Sequence, residues 1–220
     1  MRTLPTGAEL RLTGPRDADG AIVCVNGGQS REVAGTWSAS LEWLVTRLAP
    51  QFPELVFAEV RYRIKSWRRL EWCIEDARAA IDSVGARRTL LLAFSMGGAV
   101  AVQIADVQSV QTVVGLAPWL PDRISLERLR GRRFAVLHGS LDRVVPGIPG
   151  VSPASSRRGF ERARALGVEG DYTVIPGALH AIALRTYRGR PTALPRANRW
   201  AQLVAAELAR FNTVTGTEGR

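Results

Sequence analysis

Cysteine, histidine and lysine are all scarce in this chain. Its two cysteines, Cys24 and Cys73, are too few for a disulfide-stapled scaffold. Cys24 lies in an apolar strand-like run and Cys73 on a helical apolar stripe, so both are expected as buried thiols in a reducing compartment. No stretch is long and apolar enough to span a bilayer, and no N-terminal apolar run resembles a signal peptide; a cytoplasmic protein is expected. Nothing in the pattern calls for a metal or a cofactor. Lysine occurs once, at Lys65, among thirty basic residues that set a formal net charge of +10. The arginines spread over residues 61–69, 123–133, 157–164 and 185–199 without the aromatic-interleaved recognition motif of single-strand binders, which reads as compositional bias on solvated faces. Specific nucleic-acid recognition is not expected.

The 220 residues suit one domain, with a core over about 21–211 and a frayed tail over 212–220. Strands are expected at an edge near 9–13 and then at 21–25, 54–60, 90–94, 112–116, 134–138 and 172–175. Between them, Trp37, Leu41, Leu44 and Leu48 recur at helical spacing behind Ser38 or Ser40 as cap. Leu70, Cys73, Ile74, Ala77, Ile81 and Val84 mark a second helix that Gly85 closes. Further helices are expected at about 96–107 and 154–166, and a last one carries Trp200, Leu203, Val204, Leu208 and Phe211 on one face. Strands alternating with helices, several strands being apolar on both faces, predict an α/β fold with a mostly parallel central sheet covered on two sides. Only a short helical segment near 125–129 separates two of the strands, so a lid is minimal or lacking.

The stretch 89–105, TLLLAFSMGGAVAVQIA, runs from an apolar strand through serine and two glycines into an apolar helix. A serine projected from a sharp strand-to-helix turn needs small neighbours, and Ala93 and Gly97 flank Ser95 at two residues' distance. Serine is a weak nucleophile unless an imidazole takes its proton, and the imidazole needs a carboxylate to fix its tautomer. The chain offers two imidazoles. His180 falls between the last strand and the last helix and is preferred as base; His138 closes a strand just before an acid-bearing loop. Asp142 in that loop is the preferred acid, with Val144, Val145 and Pro146 to fix it, and Asp122 is its rival. Asn26-Gly27-Gly28 follows the first strong strand, where glycines let backbone amides point inward.

The pattern A-x-S-x-G at Ser95 resembles the nucleophile elbow of the α/β-hydrolases, and the order Ser95, Asp142, His180 matches the order found in that fold. The runs at 61–63, 93–98, 115–121 and 138–142 resemble those of small actinobacterial α/β-hydrolases sometimes labelled dienelactone-hydrolase-like, although that family uses a cysteine nucleophile. The resemblance covers roughly 22–211. It implies that the N–H groups of Gly28 and Met96 form an oxyanion hole, with Gln29 as an alternative donor at the substrate. It makes His138 a structural or cleft-lining residue, and Trp67, Trp119 and Met96 the walls of an apolar acyl or alcohol site. The function implied is hydrolysis of a small-molecule carboxylic ester or thioester through an acyl-enzyme on Ser95. Two alternatives are an acyltransferase using the same residues and a non-catalytic ligand-binding module on the scaffold. Arginine-mediated binding of an anionic polymer is a further one.

Overall fold

The computed structural model describes residues 1–142 and 150–213. The stabilising run Val144-Val145-Pro146 and the end of the expected tail lie outside the described residues. Twelve strands and five helices follow in chain order. The strands are β1 Arg2–Thr3, β2 Glu9–Thr13, β3 Gly20–Val25, β4 Val33–Ala34, β5 Leu55–Arg61, β6 Ile64–Lys65, β7 Arg88–Phe94, β8 Val110–Leu116, β9 Arg133–Gly139, β10 Tyr172–Ile175, β11 Ala183–Arg185 and β12 Pro191–Ala193. The helices are α1 Ala39–Leu48, α2 Leu70–Val84, α3 Gly97–Ile104, α4 Pro153–Ala165 and α5 Ala197–Thr213.

Eight strands form one sheet in the order β1-β2-β5-β3-β7-β8-β9-β10. From β5 to β10 every neighbouring pair is parallel; β2 and β1 are added antiparallel at one edge. The mostly parallel sheet expected from the sequence is therefore present. The central strand β3 is buried along its whole length, with Ile22 opposite both Phe57 and Leu90. Its alternate residues feed two separate cores, which is why it lacks a polar face. Val23, Val25, Leu91, Ala93, Val113 and Val136 pack toward α2, α3 and α4, whereas Ile22, Cys24, Leu90, Leu92, Val114 and Leu137 pack toward α1 and α5.

Local signals set the helix ends. Ser38 Oγ accepts the Leu41 N–H at the start of α1, Ser152 Oγ accepts that of Ser155 in α4, and Gly85 ends α2 at φ +67°. Ser40, the other cap candidate, is buried and does something different: its Oγ accepts the N–H of Ile182 at 3.0 Å and so anchors the chain just after His180. Both cysteines are buried and unpaired, and burial pushes the Cys73 thiol up to about 12.

Several expectations need correction. Helix α3 stops at Ile104, before the anticipated end near 107. The short helical segment expected near 125–129 is present as a single 3₁₀ turn at Glu127–Leu129. Two pairings that the sequence pattern does not show are the β11–β12 hairpin and the pairing of β4 with β6. Two- and three-residue strands are too short to show a period. Helix α5 runs through Thr213, two residues into the stretch expected to fray. Finally, two arginines are less solvated than expected. Arg88 is largely buried against Asp19 and Phe211, and Arg133 joins Glu207 and Asp171. Among the described residues no helix is long and apolar enough to cross a membrane.

Candidate active site

In a parallel sheet the strand C-termini share one edge, and loops leaving that edge converge. Asn26 follows β3, Ser95 follows β7, Ala117 follows β8, Asp142 lies just beyond β9 and His180 lies beyond β10. Residues far apart in the chain thereby meet.

Ser95 sits at φ +55°, a left-handed conformation that strains any residue with a Cβ. The turn is held because Ser95 N–H donates to the Leu116 carbonyl at 2.9 Å, and its own carbonyl accepts the N–H groups of Gly98 and Trp119. Gly97 is required by space: a Cβ there would lie 2.3 Å from the Val25 carbonyl oxygen and 2.7 Å from that of Asn26. Ala93, the departure from glycine at the other small position, is fully buried in the core beside α3.

The His180 imidazole reaches both partners. Its Nδ1 is 2.6 Å from Asp142 Oδ2 and its Nε2 is 3.0 Å from Ser95 Oγ. A carboxylate only accepts, so Nδ1 carries the proton and Nε2 is left to accept from the serine hydroxyl. The Phe94 ring lies against the imidazole at 5.1 Å between centroids. Asp142 is buried, which on its own pushes its carboxyl up; hydrogen bonds from His138 and His180 outweigh that, and the group lies below the usual carboxylate range. Its Oδ1 accepts the Val151 N–H at 3.0 Å. The rival Asp122 is an exposed partner of Arg162, and His138 does not reach Ser95: its Nε2 faces the Val151 carbonyl and Asp142.

A cleft of about 280 Å³ opens beside Ser95, lined by Gly28, Trp67, Met96, Trp119, Gly150 and Val151. The two indoles lie 6.3 Å apart between centroids. Among the described residues no lining side chain is charged, although Arg123 covers the Trp119 ring at 5.2 Å. Gln29 is not in this lining; its carbonyl instead accepts the Trp67 N–H at 3.1 Å and holds that indole in place.

Asn26 organises the glycine turn. Its Nδ2 donates to the Thr36 carbonyl and its Oδ1 accepts the Gly27 N–H, both at 2.7 Å. The Tyr62 hydroxyl donates to the Asn26 carbonyl, giving the 61–63 motif its structural part. Gly27 N–H is thus occupied, whereas among the described residues no acceptor lies on the N–H of Gly28 or of Met96. The two are neighbours: a Cβ on Gly28 would lie 2.2 Å from the Met96 Sδ.

Sequence reasoning missed Val151, Ser40 and Asn26 as holders of the site. Each acts through backbone partners brought up by the fold, which residue type alone does not reveal.

No family model and no curated protein matches the chain. Solved structures do. The carboxylesterase Cest-2923 from Lactobacillus plantarum WCFS1 superposes with a TM-score of 0.70 at 14% identity, over 96% of this chain and 95% of that one. Esterase PE8 matches with a TM-score of 0.66 at 14% identity, over 93% and 99% of the respective chains. An alpha-beta serine hydrolase homologue from Coxiella burnetii matches with a TM-score of 0.57 at 17% identity, over 91% of each. The chain has the α/β-hydrolase fold.

Proposed function

We propose that, on this α/β-hydrolase fold, the chain is a serine hydrolase of small carboxylic esters or thioesters. The observation that carries the reading is the hydrogen-bonded row Ser95, His180, Asp142 opening onto a cleft whose described lining bears no charged side chain. Ser95 Oγ attacks the substrate carbonyl carbon while its proton passes to His180 Nε2. Asp142 keeps the imidazole in the required tautomer and stabilises the imidazolium. The oxyanion that forms is received by the N–H groups of Gly28 and Met96, and each such donor is worth about 3 kcal/mol of transition-state stabilisation. The proton on Nε2 then goes to the departing alcohol or thiol, leaving the acyl group on Ser95. Water enters, gives its proton to His180 and attacks the acyl carbon; the acid departs and Ser95 regains its proton.

The cleft bounds the substrate. Its 280 Å³ equals roughly nine water volumes, small for a ligand site, and its walls are indole, thioether and backbone. It suits a short or flat uncharged acyl or alcohol group. The two buried, unpaired thiols suit a reducing, cytoplasmic setting.

The test is a fluorophosphonate probe, which labels an activated serine, together with turnover of short p-nitrophenyl esters. Wild type should label and turn over, and Ser95→Ala should do neither. Equal behaviour of the two proteins would overturn the reading.

A further inference from the structure

Two histidines grip one carboxylate. Besides His180 Nδ1 at 2.6 Å, the Asp142 Oδ2 has His138 Nε2 at 2.9 Å, and the His138 ring is fully buried. That Nε2 also lies 2.8 Å from the Val151 carbonyl. Both neighbours are acceptors, so Nε2 carries a proton that they share. On the far side, His138 Nδ1 is 2.6 Å from Ser156 Oγ, and the Tyr172 hydroxyl lies 2.8 Å from both Ser156 Oγ and the Pro153 carbonyl. One assignment gives every contact a proton: the Tyr172 hydroxyl shares its proton between the Pro153 carbonyl and Ser156 Oγ, Ser156 donates to Nδ1, and Nε2–H donates toward Asp142 and Val151. The network joins the end of β9, the first turn of α4 and strand β10.

We infer that His138 is a positioning residue, which holds Asp142 as a carboxylate aimed at His180 and ties it to the cleft wall through Val151. This rests on the reading of Ser95, His180 and Asp142 as a hydrolase row. Three features support it. Val151 is bound twice, its N–H by Asp142 Oδ1 and its carbonyl by His138, and it lines the cleft. The spacing of four residues within His-Gly-Ser-Leu-Asp brings the ring back over the carboxylate. Among the described residues nothing charged opposes this arrangement. The titratable groups around His138 are Asp142, Tyr172 and, through Asp142, His180, while Arg157 covers the Tyr172 ring at 4.3 Å with Glu161 beyond it on α4.

Sharing Oδ2 with His138 dilutes the negative charge that His180 feels. Removing the share leaves Oδ2 to His180 alone and frees the carboxylate from its tie to β9. His138→Leu should therefore lower kcat for a p-nitrophenyl ester by on the order of 10²-fold, as misplacement of a catalytic group does, with KM changed far less. It should also move the acid limb of the kcat/KM pH profile upward by roughly half a unit to one unit. His138→Gln, which keeps an N–H donor near the Nε2 position, should recover most of both. A folded His138→Leu with an unmoved acid limb, or a His138→Gln no better than His138→Leu, would overturn the inference. Should His138→Leu fail to fold, Ser156→Ala, which frees Nδ1, should still raise the acid limb; no movement overturns it. A readout independent of turnover is the downfield proton resonance of His180 Nδ1–H. It should shift in His138→Leu and Ser156→Ala and return toward the wild-type position in His138→Gln, and a line unshifted in both His138→Leu and Ser156→Ala counts against His138. If wild type neither labels nor turns over, the hydrolase reading fails, and this resonance still decides the role of His138.

Discussion

Replacing Asn26 by alanine removes two hydrogen bonds at once, and the surroundings show what each is worth. The Thr36 carbonyl that Nδ2 serves belongs to an exposed residue, so water replaces the lost donor and the net cost is about 1 kcal/mol. The Gly27 N–H that Oδ1 accepts is buried and would be left without a partner, which costs roughly 1–3 kcal/mol. Together Asn26→Ala should remove about 2–4 kcal/mol from a folding free energy of roughly 5–15 kcal/mol. In urea this moves the midpoint down by about 1 M with an unchanged m-value. The same turn carries Gly28, the proposed oxyanion donor beside Met96, so releasing it should also lower kcat by on the order of 10²-fold, the loss of one donor. The assays are urea unfolding followed by tryptophan fluorescence, and p-nitrophenyl acetate turnover at saturating substrate. A variant within about 0.5 kcal/mol of wild type that is labelled by fluorophosphonate at the wild-type rate would refute the argument that Asn26 holds this loop.

Two further outcomes follow from the site. Ser95→Gly should be about 1 kcal/mol more stable than Ser95→Ala, raising Tm by about 2–4 °C, because both lose the hydroxyl but only glycine relieves φ +55°; equal melting temperatures would show the turn to be unstrained. Asp142→Asn should cut kcat by on the order of 10⁴-fold through the wrong imidazole tautomer. The carboxyl of Asp142 is held below its ordinary value, so its stabilising contribution is present above the unfolded-state pKa and is lost as pH falls through the folded one. The stability gap between wild type and Asp142→Asn should accordingly close below about pH 4 in pH-dependent urea melts, and a gap constant with pH would contradict that sign.

Much of this architecture was legible in the residue order, because its signals are local. Apolar runs such as Leu90 to Leu92 and Val113 to Val114 can only be strands buried on both faces, and Leu41, Leu44 and Leu48 can only be one face of a helix. The strained turn at Ser95 was equally visible, since the close approach to Val25 and Asn26 demands a glycine at 97. With two histidines in the chain, the choice of imidazole was narrow from the outset.

What the residue order could not contain was distance. Whether His180 or His138 faces Ser95 depends on how five loops converge at one sheet edge, and the tertiary structure alone brings Nε2 of His180 to 3.0 Å and turns His138 onto the other side of Asp142. Ser156 and Tyr172 join that network from 18 and 34 positions along the chain, with no periodic relation to mark them. Asn26, marked in the sequence only as the start of the glycine turn, is the brace of that turn, because its partners are the backbone of Gly27 and Thr36. Residue type and spacing thus determined the elements and the chemistry on offer; packing of the loops decided which polar atoms touch, since hydrogen bonds act over about 3 Å and sequence separation carries no such measure.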